Sequence, residues 1–259
     1  MSAHLRALEH LNVRYDRTTE LYSELADAVA SLTQFVTDDG YSVMWDECTG
    51  NGDGAELIEL AGRLRDESAI SAAMMEKLRA REYIDGIERA THYFDNVESC
   101  IDSEFGSFAP GPESRILMVG IGSFPMTAVN IVRQTGATVV GTDIDSESVA
   151  LGRRVVAEMG VDGIEVEVSG PHLKPRAATA THVIFSSTIP VKYRILHDLH
   201  PVLAADVTVV MRYGDGLKSL FNYPRVAVAE DRWRQIGMVA RPGRLFDVAL
   251  YRKAVTDDA

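Results

Sequence analysis

The stretch Arg115-Ile116-Leu117-Met118-Val119-Gly120-Ile121-Gly122-Ser123-Phe124-Pro125 decides the fold. Its continuous apolar run suits a strand covered on both faces, and the glycines that follow turn the chain into a helix predicted over 126–134. Downstream the unit repeats. The run 137–142 reads as a second strand ending at Asp143, and Ser146 is a candidate N-cap for a helix over 146–159. Ile164-Glu165-Val166-Glu167-Val168 alternates as a third strand, 182–185 and 207–211 read as a fourth and a fifth, and the segment 191–199 between them is helical. Near the end, 237–240 and 246–251 flank Arg241-Pro242-Gly243-Arg244 as a hairpin carrying an antiparallel strand.

Upstream of Pro110-Gly111-Pro112 the texture differs. Apolar residues recur three and four apart at Leu21, Leu25, Ala28, Val29, Leu32 and Phe35-Val36, then at Leu57, Leu60, Ala61 and Leu64, then at Ile70, Ala73, Met74 and Leu78. Breaks fall at Asp38-Asp39-Gly40 and between Thr49 and Gly54. The two prolines stop a helix and start a new unit. The expected organisation is an all-helical N-terminal domain over 1–109 and an α/β domain over 110–259, with a Rossmann-like sheet of the methyltransferase type and a frayed end at 256–259.

Composition narrows the partners. The chain of 259 residues is 46% hydrophobic and 25% charged, ordinary for a globular protein, and its net charge of −12 repels polyanions, so nucleic acid is not an expected partner. Two cysteines, Cys48 and Cys100, make no disulfide framework or zinc-type spacing, and no stretch is apolar for the ~20 residues a membrane span needs. A cytoplasmic protein with no membrane partner is expected. The histidines at 4, 10, 92, 172, 182, 197 and 200 form no ligand set, so no metal is expected.

Gly120 and Gly122 let the backbone approach a ligand at a helix N-terminus, while Asp143, about twenty residues on, stands where an acid accepts both hydroxyls of a ribose. A dinucleotide site carries a third glycine where this chain has Phe124-Pro125, and proline removes a backbone donor. S-adenosylmethionine, with no phosphate to cradle, suits the loop better. Ser186-Ser187-Thr188 follows the fourth strand at the ligand-binding edge of the sheet, where its hydroxyls hold a ligand or cap the next helix.

The residues now on the page resemble the nicotianamine synthases and their bacterial relatives that make opine-type metallophores. That family carries a Gly-x-Gly-x-x-Pro-x-Thr loop, here Gly120, Gly122, Pro125 and Thr127, and an Asp-Ile-Asp at the second strand, here Asp143-Ile144-Asp145. Its arginine-led segment ending in Tyr-Pro is similar to the stretch from Arg212-Tyr213 to Tyr223-Pro224, and its Tyr-aromatic-x-Asn pattern with a following glutamate looks like Tyr93-Phe94-Asp95-Asn96 with Glu104. One departure is that the family loop often has proline directly after the second glycine, where this chain has Ser123-Phe124.

The resemblance implies transfer of the 3-amino-3-carboxypropyl arm of S-adenosylmethionine to an amino acid amine such as that of histidine, with release of methylthioadenosine, as in metallophore biosynthesis. It implies cofactor contacts from Gly120, Gly122, Ser123, Pro125, Thr127, Asp143, Ile144 and Ser186, and substrate contacts from Ser187, Arg212 and Tyr213. Glu104 is the implied general base, with Tyr93 and Asn96 beside it, although on residue type alone Glu104 equally suits a surface ion pair and Tyr93 a core position. A homodimer is compatible with this reading. Three alternatives stay open: cyclisation of S-adenosylmethionine to azetidine-2-carboxylate, an ordinary small-molecule methyltransferase, and a non-catalytic binding protein.

Overall fold

The computed structural model describes residues 1–50, 54–87, 96, 108–240 and 242–254. Four helices come first: α1 (Ser2–Asn12), α2 (Tyr22–Val36), α3 (Asp39–Gly50) and the 30-residue α4 (Ala55–Ile84). Gly40, expected in a break, lies inside α3. On α4 Ala61, Leu64, Met74 and Leu78 are buried as apolar spacing suggests, but Ile70 is exposed and the buried surface is wider than one stripe. Ser68, Ser71, Ala72 and Met75 are buried as well, because α4 packs on α1 and α2 and also on the helix over Ser146–Glu158 and the turn over Gly216–Leu220.

The α/β part follows the predicted order: β1 (Arg115–Val119), α5 (Met126–Thr135), β2 (Thr138–Asp143), α6 (Ser146–Glu158), β3 (Ile164–Val168), α7 (Leu173–Thr179), β4 (His182–Phe185), α8 (Lys192–Leu199) and β5 (Thr208–Tyr213). A short 3-10 turn over Gly216–Leu220 leads to the hairpin β6 (Trp233–Val239) and β7 (Asp247–Lys253). Helix α7 escapes the apolar pattern because it is short and holds Pro175, which the first turn tolerates since its amides have no intrahelical acceptor. The N-cap of α6 is Asp145 rather than Ser146. The Asp145 carboxylate accepts from the amides of Glu147 (2.8 Å) and Ser148 (3.4 Å), and Ser146 is already helical.

The seven strands lie in the order β3-β2-β1-β4-β5-β7-β6. Pairing is parallel from β3 across to β5 and antiparallel at β7 and β6, as the hairpin reading anticipates. Alternate residues serve two cores. Ile116, Met118, Ile184 and Val210 belong to one apolar cluster with Leu8, Leu25, Leu64 and Met75, so the core runs on from this face of the sheet into the helical layer. Leu117, Val119, Val183, Phe185, Val209, Met211 and Tyr213 face the other side, toward Leu196 and Leu199 of α8. No helix among the described residues is long and apolar enough to cross a membrane.

Polar contacts set the register of α4 on the sheet. Lys77, largely buried, pairs with Asp145 at 2.5 Å and Glu147 at 3.0 Å, while Arg81 and the Tyr15 hydroxyl (3.0 Å) also reach Glu147. Burial works against the Lys77 charge, but the two carboxylates prevail and its pKa is raised. Lys77→Met leaves Glu147 and Asp145 short of a partner, and because both remain partly exposed we expect a loss of roughly 1–3 kcal/mol in urea unfolding. In a double-mutant cycle with Glu147→Gln the two losses are expected to fall short of additivity; simple addition would show that the pair does not tie the layers.

Candidate active site

Strand order reverses between β1 and β4, which opens a crevice at their carboxyl ends. The loop 120–125 lies in that crevice. Its conformation is available only to glycine, with φ of 78° at Gly120 and 71° at Gly122. The amides of Gly120 and Ile121 bond to Thr142 O (2.8 and 3.1 Å), and the Gly122 amide donates to Asp143 Oδ2 at 3.1 Å. Asp143 Oδ1 accepts from the amide of Asp145 at 3.0 Å. The acid expected to meet a ribose therefore also pins the loop. Burial raises its pKa, while the amide hydrogen bonds hold it back.

The cleft is lined by this loop, by Ser186, Ser187 and Thr188 after β4, by Arg212 from β5, by Phe246 beside β7, and by two side chains of α4, Glu76 and Arg79. Glu76 is the site residue that sequence reasoning missed. Its carboxyl rests on the Gly122 Cα, where a Cβ would overlap it. Hemmed in there and close to Asp143, it has its pKa pushed up from the usual 4.5 to about 8, against the pull of a Ser123 amide hydrogen bond and of the Arg79 charge. One signal could have found it. Glu76 stands four residues from buried Ala72 and four from buried Ala80, an acid on a stripe of small buried residues.

The structure brings most of the expected residues together. Gly120, Pro125, Thr127, Ser186, Ser187 and Arg212 line the cleft, and Gly122 and Ser123 lie against Glu76. Arg212, 4% exposed, donates from Nη1 to Thr127 Oγ1 at 3.2 Å and lies over the Phe246 ring at 4.9 Å. The hydroxyls of Ser186 and Thr188 sit 3.4 Å apart and cap no helix, since α8 begins at Lys192 with no side-chain cap. Tyr213 goes elsewhere. Strand alternation turns it to the opposite core, with Arg225 over its ring, so it does not reach the cleft. Ile144 is 88% exposed beyond β2 and outside the cleft wall. Asn96 is a clasp: its Oδ1 accepts from Leu245 N at 2.9 Å and its Nδ2 donates to Gly243 O at 3.2 Å, which ties down the loop before Phe246. Tyr93 and Glu104 lie outside the described residues.

A second missed residue holds the wall together. Lys192 is fully buried, and its ammonium donates to the carbonyls of Ser187 (3.1 Å), Arg212 (2.7 Å) and Tyr223 (3.0 Å). Burial pushes its pKa down to about 7, while three carbonyls suit the three donors of the charged form.

No family model matches the chain. Among curated proteins it is 27% identical over 238 residues to L-histidine 2-aminobutanoyltransferase of Pseudomonas aeruginosa strain PAO1, covering 90% of this chain and 88% of that one. It is 34% identical over 168 residues to the protein of that name from Yersinia pestis, covering 65% and 63%. Among solved structures, MtNAS in complex with MTA and tNA superposes with a TM-score of 0.76 at 19% identity, over 98% of this chain and 97% of that one. A mutant of MtNAS with S-adenosylmethionine gives 0.72 at 15% identity, over 97% and 98%. The chain is thus similar in sequence to L-histidine 2-aminobutanoyltransferases and in fold to MtNAS. The superposition covers nearly the whole of both chains, so it extends over the helical layer as well as the sheet.

The Glu76 carboxyl carries a proton in the folded chain between pH 4.5 and about 8 that the unfolded chain releases, so stability falls as pH rises through that window. Glu76→Gln removes the ionisation. Its Tm advantage over the wild type is expected to widen by several degrees between about pH 5 and about pH 9, measured without ligand; an unchanged difference would mean that Glu76 ionises as an exposed acid does.

Proposed function

We propose that this protein transfers the 3-amino-3-carboxypropyl group of S-adenosylmethionine to the amine of an amino acid, histidine being the acceptor in the names of its relatives, and releases methylthioadenosine. The observation that carries the reading is Glu76: a carboxyl of raised pKa, set by the helical layer against the glycine loop, in a cleft that also holds two guanidiniums. In this reading Gly120, Gly122 and Asp143 receive the nucleoside side of the ligand, Arg212 with Thr127 and the Ser186–Thr188 hydroxyls face the amino acid moieties, and Asn96 and Lys192 position the walls. The helical segment over 1–109 works as the substrate-side domain, and the enzyme acts in the cytoplasm on soluble amino acids, as a monomer or a homodimer.

The chemistry balances without a metal. The unprotonated acceptor nitrogen attacks the arm carbon next to sulfur, an N–C bond forms as the C–S bond breaks, and the electron pair leaves on sulfur as the neutral thioether. The proton of the new ammonium passes to Glu76. An acid that titrates near 8 is well matched to an amine, and the sulfonium charge shifts it toward the ionised form as the ligand arrives.

Incubation with S-adenosylmethionine, with and without histidine, and mass spectrometry of the nucleoside released test this directly. Histidine-dependent methylthioadenosine is expected. Methylthioadenosine without any acceptor would indicate cyclisation to azetidine-2-carboxylate, and adenosylhomocysteine would indicate a methyltransferase. Glu76→Gln should still bind S-adenosylmethionine but lose roughly 100- to 10,000-fold in turnover. The acid limb of kcat/KM should fall near pH 8, with that of kcat lower because the bound sulfonium favours ionised Glu76; coincident limbs would exclude Glu76 as the base.

A further inference from the structure

Glu76 and Arg79 stand one turn apart on α4, and both line the cleft. Residues so spaced keep their Cβ atoms about 5–6 Å apart. The amine and carboxylate of an α-amino acid share one carbon, so a single amino acid can meet both side chains at once. Arg79 is laid over the Phe124 ring, its guanidinium carbon 4.2 Å from the centroid, and Tyr83, one turn further along α4, meets the same ring edge-on at 5.7 Å. Contact with the ring restricts where the guanidinium can stand, and its planar N–H groups form the fork that matches a carboxylate.

Arg212 repeats the arrangement across the cleft, stacked on Phe246 at 4.9 Å. Two stacked guanidiniums face a reaction that brings two carboxylates, one on S-adenosylmethionine and one on an amino acid acceptor. Only Arg79 shares its helix turn with the base. An acceptor whose amine faces Glu76 thus has its own carboxylate within reach of Arg79.

We propose that Arg79 binds the α-carboxylate of the acceptor, so that the Glu76–Arg79 pair selects free α-amino acids over amines that lack this group. The inference rests on the transferase reading above and deepens it by naming the acceptor class. Arg212 is left to the carboxylate of S-adenosylmethionine.

Histidine and histamine differ only in the carboxylate and make the test. For the wild type, kcat/KM for histidine should exceed that for histamine by roughly 10- to 100-fold, the worth of one forked charge-assisted pair. Arg79→Met should erase most of this preference by raising KM for histidine, with a far smaller effect on histamine and an unaltered calorimetric Kd for S-adenosylmethionine. Arg79→Lys, which keeps the charge without the fork, should recover part of it and serves if the methionine variant fails to fold. Titration of both amines into protein saturated with methylthioadenosine reads the preference without turnover. A chain that makes no methylthioadenosine thus defeats the transferase reading, whereas equal losses for both amines, or loss of S-adenosylmethionine binding alone, defeats the role of Arg79.

Discussion

A side chain at position 122 would push the Glu76 carboxyl from its place, because the space that a Cβ on Gly122 would fill is held by that carboxyl. Much of the site follows from this exclusion. The glycine turn lies between two acids, Asp143 gripping its amide from below and Glu76 resting on its Cα from above. One acid arrives on a strand of the sheet and the other on a helix more than sixty residues earlier in the chain. The helical layer is thus part of the ligand cleft itself, and the ion pairs of Lys77 with Asp145 and Glu147 hold α4 at the height where Glu76 meets the loop.

The arrangement leaves charge poorly solvated until a ligand arrives. Burial raises the pKa of both Glu76 and Asp143, and the Asp143 charge adds to the rise at Glu76. Across the cleft stands the Arg212 guanidinium, while the buried Lys192 ammonium is already taken up by three carbonyls where β4 and β5 end. A ligand that carries a sulfonium, an ammonium and carboxylates relieves both sides together, which couples its binding to the stability of the folded chain. It also explains why the walls are built from buried clasps, Lys192 on three carbonyls and Asn96 on the loop before Phe246, since groups held this way need little rearrangement as charge develops.

Several expectations drawn from the sequence hold for identifiable reasons. The strands 115–119 and 182–185 have the bounds that their apolar runs suggest, since strands covered on both faces leave little else for such runs to do, and the alternating 164–168 holds its bounds as an edge strand. Others give way to packing. Tyr213 neighbours Arg212 in the chain yet faces the opposite core, because successive strand residues point to opposite sides. Ile70 is exposed and Ser71 buried because α4 is enclosed from two directions, which blurs the single stripe that spacing arguments rely on.

By itself the sequence determined the order of strands and helices, the glycine turn after β1, the acid at the end of β2 and the arginine at the end of β5, all of which rest on local chemistry: apolar period, φ freedom and chain position. Only the tertiary structure placed Glu76 in the cleft and Arg79 beside it. Glu76 and Arg79 carry no local mark that separates them from other charged residues of a long helix. Their meaning comes from the packing of α4 across the carboxyl ends of the strands, a long-range contact that burial of the shared core enforces and that no window of sequence contains.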